Sequence, residues 1–478
     1  MQTGSILAGS IVLVSIAVLA ARRPAIAFAY SFLLVTFVSK MISVVYLDVR
    51  GPVFAEQMNR EIGGGWAAIP FAVVVMLALI PAYFILKPTH SRPFYANSML
   101  IHSAAKRNSS GGVTLGDVAL ISILGFSLLL YADMLFRGVI PIRDGIERFE
   151  YATQYAGSFH HFLFKYGPFV AMWCGVFFVF PALHRGSFDW RFLGALILLL
   201  SYAFITGHRF SAFYSFSTFF MLPLAALFIV KGPHACEQIS PEKNRAERHA
   251  VRRLLAVLAV VGVVLVVIII LALANSYVNV RHFSPEETAQ KLVQRIFIQP
   301  SELWYATWER VMLLGQWDGA AAYQFMFNDA LEPTRNTGIQ YLMLLELGYT
   351  RTTELIVSMG SQYAGGYPEI LFELLGPYAP FVIALLLGVI TAGLVRMLLL
   401  AIARGHFISV FWIAYVYFAV SLIYIGGMLN SFAVITFWIK MFGMVFSVLA
   451  ENHLERRGLR LLPWVLIRSN AKIRFSNL

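Results

Sequence analysis

Charge is what this chain has least of. Only 13% of its 478 residues are Asp, Glu, Lys or Arg, while 59% are hydrophobic. Soluble domains carry roughly 25% charged residues, so a soluble enzyme is excluded. Cysteine is nearly absent: Cys174 lies in an apolar run and Cys236 in a basic loop, which excludes a disulfide framework. No Cys/His cluster has zinc spacing, and His160 and His161 are adjacent and cannot share a helical face. Neither a G-x-S-x-G elbow nor a phosphate-binding P-loop occurs. Paired carboxylates for a divalent ion are missing as well. Glu286 and Glu287 read as helix-capping residues, and Asp144 and Glu147 stand beside Arg143 and Arg148, which would pair with them. The expectation is no metal and no cofactor. No internal repeat is visible, which counts against a transporter built from inverted halves.

What the chain does have is long apolar runs, about eleven of them: roughly 4–21, 24–46, 66–86, 116–136, 167–183, 192–206, 211–230, 254–276, 376–395, 408–427 and 430–449. Runs of this length predict an all-α polytopic membrane protein. The first has no basic residue before it and no cleavage site, so it reads as a span and not a signal peptide. The loops between the runs alternate in charge. Basic residues gather in one set: Arg22 and Arg23, Lys87 to Arg107, Arg185 and Arg191, Lys231 to Arg253, Arg396 and Arg404, and Arg456 to Arg460. Most acidic residues gather in the other. Placing the basic set in the cytoplasm satisfies the orientation rule at every loop, with the amino terminus outside and the carboxyl terminus inside. Orientation and anionic lipid account for the formal charge of +12, so no nucleic-acid partner is expected.

Four segments follow: a membrane bundle over 1–276, an extracytoplasmic helical insertion over 277–375, a second bundle over 376–450, and a basic cytoplasmic tail over 451–478. Within the insertion, Ser284-Pro285-Glu286-Glu287 carries an N-cap serine, a proline at the first helical position and a capping-box glutamate. A second helix should follow Pro300-Ser301-Glu302, with Leu303, Trp304, Trp308, Val311 and Met312 as its apolar stripe. Such a stripe suits either the membrane interface or a cap packed on the bundle.

Two ionisable groups fall in or near hydrocarbon, where an unpaired charge costs several kcal/mol. Lys440 lies mid-span and should face the interior; an ion pair or hydrogen bond is its ordinary role. Arg209 tops the hairpin between the sixth and seventh runs. By helical rise it stands roughly 27 Å from Arg191 and 33 Å from Lys231, against a hydrocarbon core of ~30 Å. That places it at the outer boundary. Its guanidinium there is either an interfacial anchor or a fork for phosphate oxygens.

Thr206-Gly207-His208-Arg209-Phe210-Ser211, opening a long span, resembles the TG-x-R-x-S hairpin of bacterial O-antigen and oligosaccharide repeat-unit polymerases, the Wzy-like family. Gly138-Val139-Ile140-Pro141-Ile142 followed by Arg148 resembles that family's G-x-P-L … R segment, with one extra residue before the proline. Met359-Gly360-Ser361-Gln362-Tyr363, then Pro368-Glu369, Glu373 and Leu375-Gly376-Pro377, resembles the stretch before its late span.

The resemblance implies a GT-C-like fold in the bacterial inner membrane. It also implies metal-independent, inverting glycosyl transfer from an undecaprenyl-diphosphate-linked glycan to a sugar hydroxyl on a second lipid-linked unit, with membrane lipid and a chain-length-regulating co-polymerase as partners. Negative charge developing on the diphosphate must be met by fixed positive groups, and the attacking hydroxyl must lose a proton. Arg209 is the residue expected at the diphosphate, with Arg148 or Arg281 as a second clamp. His282 and His208 are candidate bases, with Glu369 and Glu373 as alternatives on the glycan side. Arg335 joins the substrate-binding candidates, and roles for Arg295, Arg310 and Arg351 stay open. An O-antigen ligase is the near rival. A lipid-linked oligosaccharide flippase is the rival from another class.

Overall fold

The computed structural model describes residues 2–88, 113–146, 148–185, 187–230, 283–327, 337–358, 363, 365–462 and 465–466, with isolated positions between 267 and 278. The chain is an α-helical polytopic membrane protein. Eight of the described helices are long and apolar enough to cross a membrane, and Arg191–Ile205 is a shorter apolar helix. The expected run 254–276 falls outside the described residues apart from a few positions. The chain divides into two compact units. One holds Met1–Lys87, Val263–Met397 and Trp412–Val445; the other holds Pro88–Gly262, Leu398–Phe411 and Phe446–Leu478.

In the first unit, Gln2–Arg22 is packed against Ser31–Arg50 and Ala68–Ile85. Asp48, fully buried, joins one end of all three. Its carboxylate accepts from Ser5 Oγ at 2.7 Å and from the backbone amides of Ala67 at 3.2 Å and Ala68 at 2.9 Å. Those amides are orphan donors of a helix start, and a carboxylate there also meets the positive end of the helix dipole. A hairpin, Val53–Ala55 with Arg60–Ile62, connects the second of these helices to the third.

The described residues of the segment expected as an extracytoplasmic insertion fall within this same unit. Ser284 caps Pro285–Val293 as its sequence predicts, accepting from the Glu287 amide at 3.2 Å while Glu287 accepts from the Ser284 amide at 2.8 Å. The chain then passes through Gln294–Ile298, where Ser43 Oγ donates to Phe297 O at 2.8 Å. The second expected helix is Glu302–Thr307, continued by the wider turn Trp308–Leu313. Its stripe is buried: Leu303, Trp304, Trp308 and Val311 are each at most 2% exposed. Trp304 Nε1 donates to Ala67 O at 3.0 Å. Of the two readings of that stripe, packing on the bundle is the one the structure shows.

In the second unit, Thr114 and Asp117 form a capping box that starts Leu115–Phe136. Ile121, Leu128, Leu129 and Leu135 of that helix stay exposed, which costs nothing against lipid. Ser158–Arg185 begins nine residues before the expected span because Phe159, Phe162 and Phe164 extend its apolar character toward the amino terminus. His160 is buried on it and His161 exposed, on different faces. The expected run 430–449 corresponds to a helix that is not one of the eight long and apolar enough to cross a membrane, and it starts in the first unit. Leu429–Phe432 forms a tight turn holding the buried Asn430, so the helix runs from Ile435 to Arg456.

Candidate functional site

The hairpin tip is built by one glycine. Arg191–Ile205 ends with Thr206, whose Oγ1 donates to Tyr202 O at 3.0 Å, and the His208 amide reaches back to Ala203 O at 2.9 Å. Between them Gly207 has φ +82°, the left-handed conformation that closes a helix and that only glycine adopts without cost. A new helix starts immediately at Arg209. The Arg209 side chain lies outside the described residues.

Glycine serves a second purpose here. A β-carbon on Gly207 would stand 3.1 Å from Arg148 Cβ, so the backbone of the tip rests directly on Arg148. Two segments about sixty positions apart in the chain therefore meet. Arg148 itself lies over the Phe149 ring, 4.3 Å from its centroid. His208 stacks on Phe164 with ring centroids 3.6 Å apart and stands 5.5 Å from the His160 ring. His160 Nδ1 and the Tyr202 hydroxyl share a hydrogen bond of 3.2 Å. Burial, then His160, then the charge of Arg148 push the His208 pKa down to about 3. It is neutral at physiological pH, and its buried Nε2 has no partner among the described residues. Beside this cluster, Pro141–Asp144 forms one turn in which Asp144 pairs with Arg143 at 2.7 Å. Glu147 lies outside the described residues.

The acidic candidates belong to the first unit. Glu369 and Glu373 are one turn apart on Glu369–Leu375, and both are buried. Glu369 forms an ion pair with Lys40 of the Ser31–Arg50 helix and accepts from the Gly366 amide at 3.3 Å. Lys40 Nζ also donates to Tyr367 O at 2.8 Å. Glu373 takes the Arg310 guanidinium, Nε at 3.1 Å. Burial pushes the Glu373 pKa up, and Arg310 partly counters it. Arg310 also pairs with Glu346, which accepts from Arg60 at 3.2 Å; Arg60 reaches Glu309 at 2.6 Å. The result is a network of two arginines and three glutamates. Both predicted glutamates thus serve as partners of cations, the buried Lys40 and the half-buried Arg310. Among the described residues no group of three or more His, Cys, Asp or Glu could hold a metal ion.

Arg281, His282 and Arg335 lie outside the described residues. Of the remaining candidates, the structure joins Arg148 to His208 in one unit and places Glu369 beside Glu373 in the other. Sequence reading passed over Lys40, although the rule that singled out Lys440 applies equally to a lysine inside the second run. Lys440 does find a partner: its ammonium lies 4.4 Å from the centroid of the Tyr415 ring. Glu302, 0% exposed and with neither carboxylate oxygen partnered among the described residues, was hidden for a different reason, since an acid in a first helical turn is ordinarily explained by the dipole.

Residues 332–445 match a family of unknown function, DUF6418. The match spans Glu346, Glu369 and Glu373 and stops short of neither long helix that follows them, Ala379–Arg404 and Phe407–Gly426. No curated protein and no solved structure matches the chain.

Proposed function

We propose that this chain is a polymerase of lipid-linked oligosaccharide repeat units, a metal-independent inverting glycosyltransferase of surface polysaccharide synthesis at the outer leaflet of a bacterial inner membrane. The reading is carried by one contact. The turn Thr206–Ser211 and the segment ending at Arg148, each matched to a polymerase motif by sequence alone, rest on one another at Gly207. Two arginines brought to one turn suit a diphosphate, because each stays charged and presents a planar fork to phosphate oxygens.

In this scheme the acceptor hydroxyl attacks the anomeric carbon, the bond to the diphosphate breaks, and its electron pair leaves on the diphosphate. Arg209 and Arg148 meet that growing charge in a site of low dielectric constant, where fixed cations act most strongly. His208 is too weakly basic at a pKa of about 3 to be a base matched to neutral pH, and serves instead through a hydrogen bond from its ring. Glu369 and Glu373 hold Lys40 and Arg310 in place.

Cells carrying Arg209→Ala or Arg148→Ala as the only copy should lose the ladder of long surface glycans, by about 100-fold or more in the longest chains, as when a fixed transition-state donor is removed. Normal amounts of the variant in the membrane must accompany the loss. Unchanged ladders in both variants contradict the proposal. A single addition of glycan to lipid A-core, with no ladder, would instead identify a ligase.

A further inference from the structure

In the first unit the run Leu313-Leu314-Gly315-Gln316-Trp317-Asp318 is exposed at every residue. Leu313, Leu314 and Trp317 are large and apolar, and Leu314 is 65% exposed. Water penalises such a display, because the gain from burying that area is forgone. The turn is nonetheless firmly built. Gly315 has φ +64°, and the Gln316 amide donates to Arg310 O at 2.9 Å. Asp318 Oδ1 accepts from the Ala321 amide at 2.9 Å, at the start of Gly319–Phe327. Its backbone thus holds the apolar side chains outward.

The surroundings of the turn indicate what covers it. A β-carbon on Gly376 would stand 2.9 Å from the Trp317 ring, and one on Gly319 would meet the Leu374 carbonyl oxygen. The turn therefore rests on residues 374–376, immediately before Ala379–Arg404, one of the helices long and apolar enough to cross a membrane. Tyr378, just ahead of that helix, and Val382, Leu386 and Ile390 within it stand four residues apart, and all are exposed. Spacing by four makes them one stripe. On a spanning helix an exposed apolar stripe meets acyl chains. Tyr378 is 80% exposed at the head of the stripe, with Trp317 packed two residues away on Gly376. Tyrosine and tryptophan are the side chains that gather where hydrocarbon meets headgroups. The lipid-facing surface of the span thus continues into the turn.

We propose that Leu313–Asp318 inserts into the membrane at the boundary between headgroups and acyl chains, with Leu313, Leu314 and Trp317 as the inserted side chains. This holds whatever reaction the chain performs. Because the turn closes back on Arg310, insertion also sets the depth of the ionic network. Arg310, Glu373, Glu346, Arg60 and Glu309 stand at the headgroup layer, one turn from the inserted leucines.

The test reads tryptophan fluorescence from the full chain in phosphatidylcholine–phosphatidylglycerol vesicles. Their acyl chains carry bromine near the headgroup, near the terminal methyl, or nowhere. Trp317→Phe keeps a ring against Gly376, and subtracting its emission from that of wild type isolates Trp317. Bromine near the headgroup should quench that difference signal about twofold more than bromine near the terminal methyl. Replacing both leucines, Leu313→Ser with Leu314→Ser, should cut the stronger quenching by about half. Equal difference emission with and without bromine overturns the proposal. Stronger quenching by the terminal bromine also overturns it, since Trp317 would then lie deep in hydrocarbon. Absence of quenching together with a cross-linked dimer through Gln316→Cys would overturn it in favour of a second copy of the chain on this face.

Discussion

Lys40→Ala should destabilise the protein by about 3–5 kcal/mol, and the paired change Lys40→Met with Glu369→Leu should recover most of that loss. The single change leaves Glu369, which is wholly buried, as a charge with no cation beside it. Dehydrating an ion costs several kcal/mol, and only the partner offsets it. Removing both charges removes the penalty and the attraction together. The pair also ties residues 329 positions apart, because Lys40 holds Tyr367 O as well as the carboxylate at the start of Glu369–Leu375. Unfolding of the detergent-solubilised chain by heat or denaturant, at fixed detergent and lipid, measures both variants. Equal loss in the single and paired variants would show that the charge left behind is not what destabilises.

Glu302 gives the second large effect, and its sign follows from linkage. Burial alone raises its pKa to about 8 from the ordinary 4.5. A group whose pKa is raised by folding stabilises fully below the unfolded value, where both states hold the proton. Between about pH 4.5 and 8 the unfolded chain has released that proton and the folded chain still keeps it, so stability falls across this window and levels off above it. A shift of this size corresponds to a decline on the order of 4–5 kcal/mol. Glu302→Gln keeps the shape, cannot ionise, and should lose that part of the pH dependence. Unfolding midpoints at pH 5, 7 and 9 for both chains decide the matter. Parallel curves would mean that Glu302 is charged or partnered in the folded state.

The membrane architecture was legible because hydrocarbon imposes strong rules on sequence. Apolar runs of span length gave the bundle, and the serine, proline and glutamate at 284–287 gave a helix start to the residue. Boundaries moved where apolar character continues beyond a span, as at Ser158, or where a buried polar residue interrupts it, as at Asn430. The contact between Gly207 and Arg148 was foreshadowed by motif order, although neither segment alone indicates the other. The Arg60, Arg310, Glu309, Glu346 and Glu373 network was not legible, since its members are scattered and each passes for a solvated loop charge. Lys40 was visible and overlooked. Glu302 shows the limit most plainly: what distinguishes it is the absence of a partner among the described residues, and a sequence records residues but not what surrounds them.

The most direct measurement is polymerisation in a purified system. Wild-type chain in nanodiscs, given only undecaprenyl-diphosphate-linked repeat units of its own host's glycan, should build a ladder of lengths equally well with and without a chelator. Arg209→Ala, present in equal amount, should build none. A wild-type chain that extends no lipid-linked unit, or an Arg209→Ala chain that extends them as fast as wild type, would contradict the account.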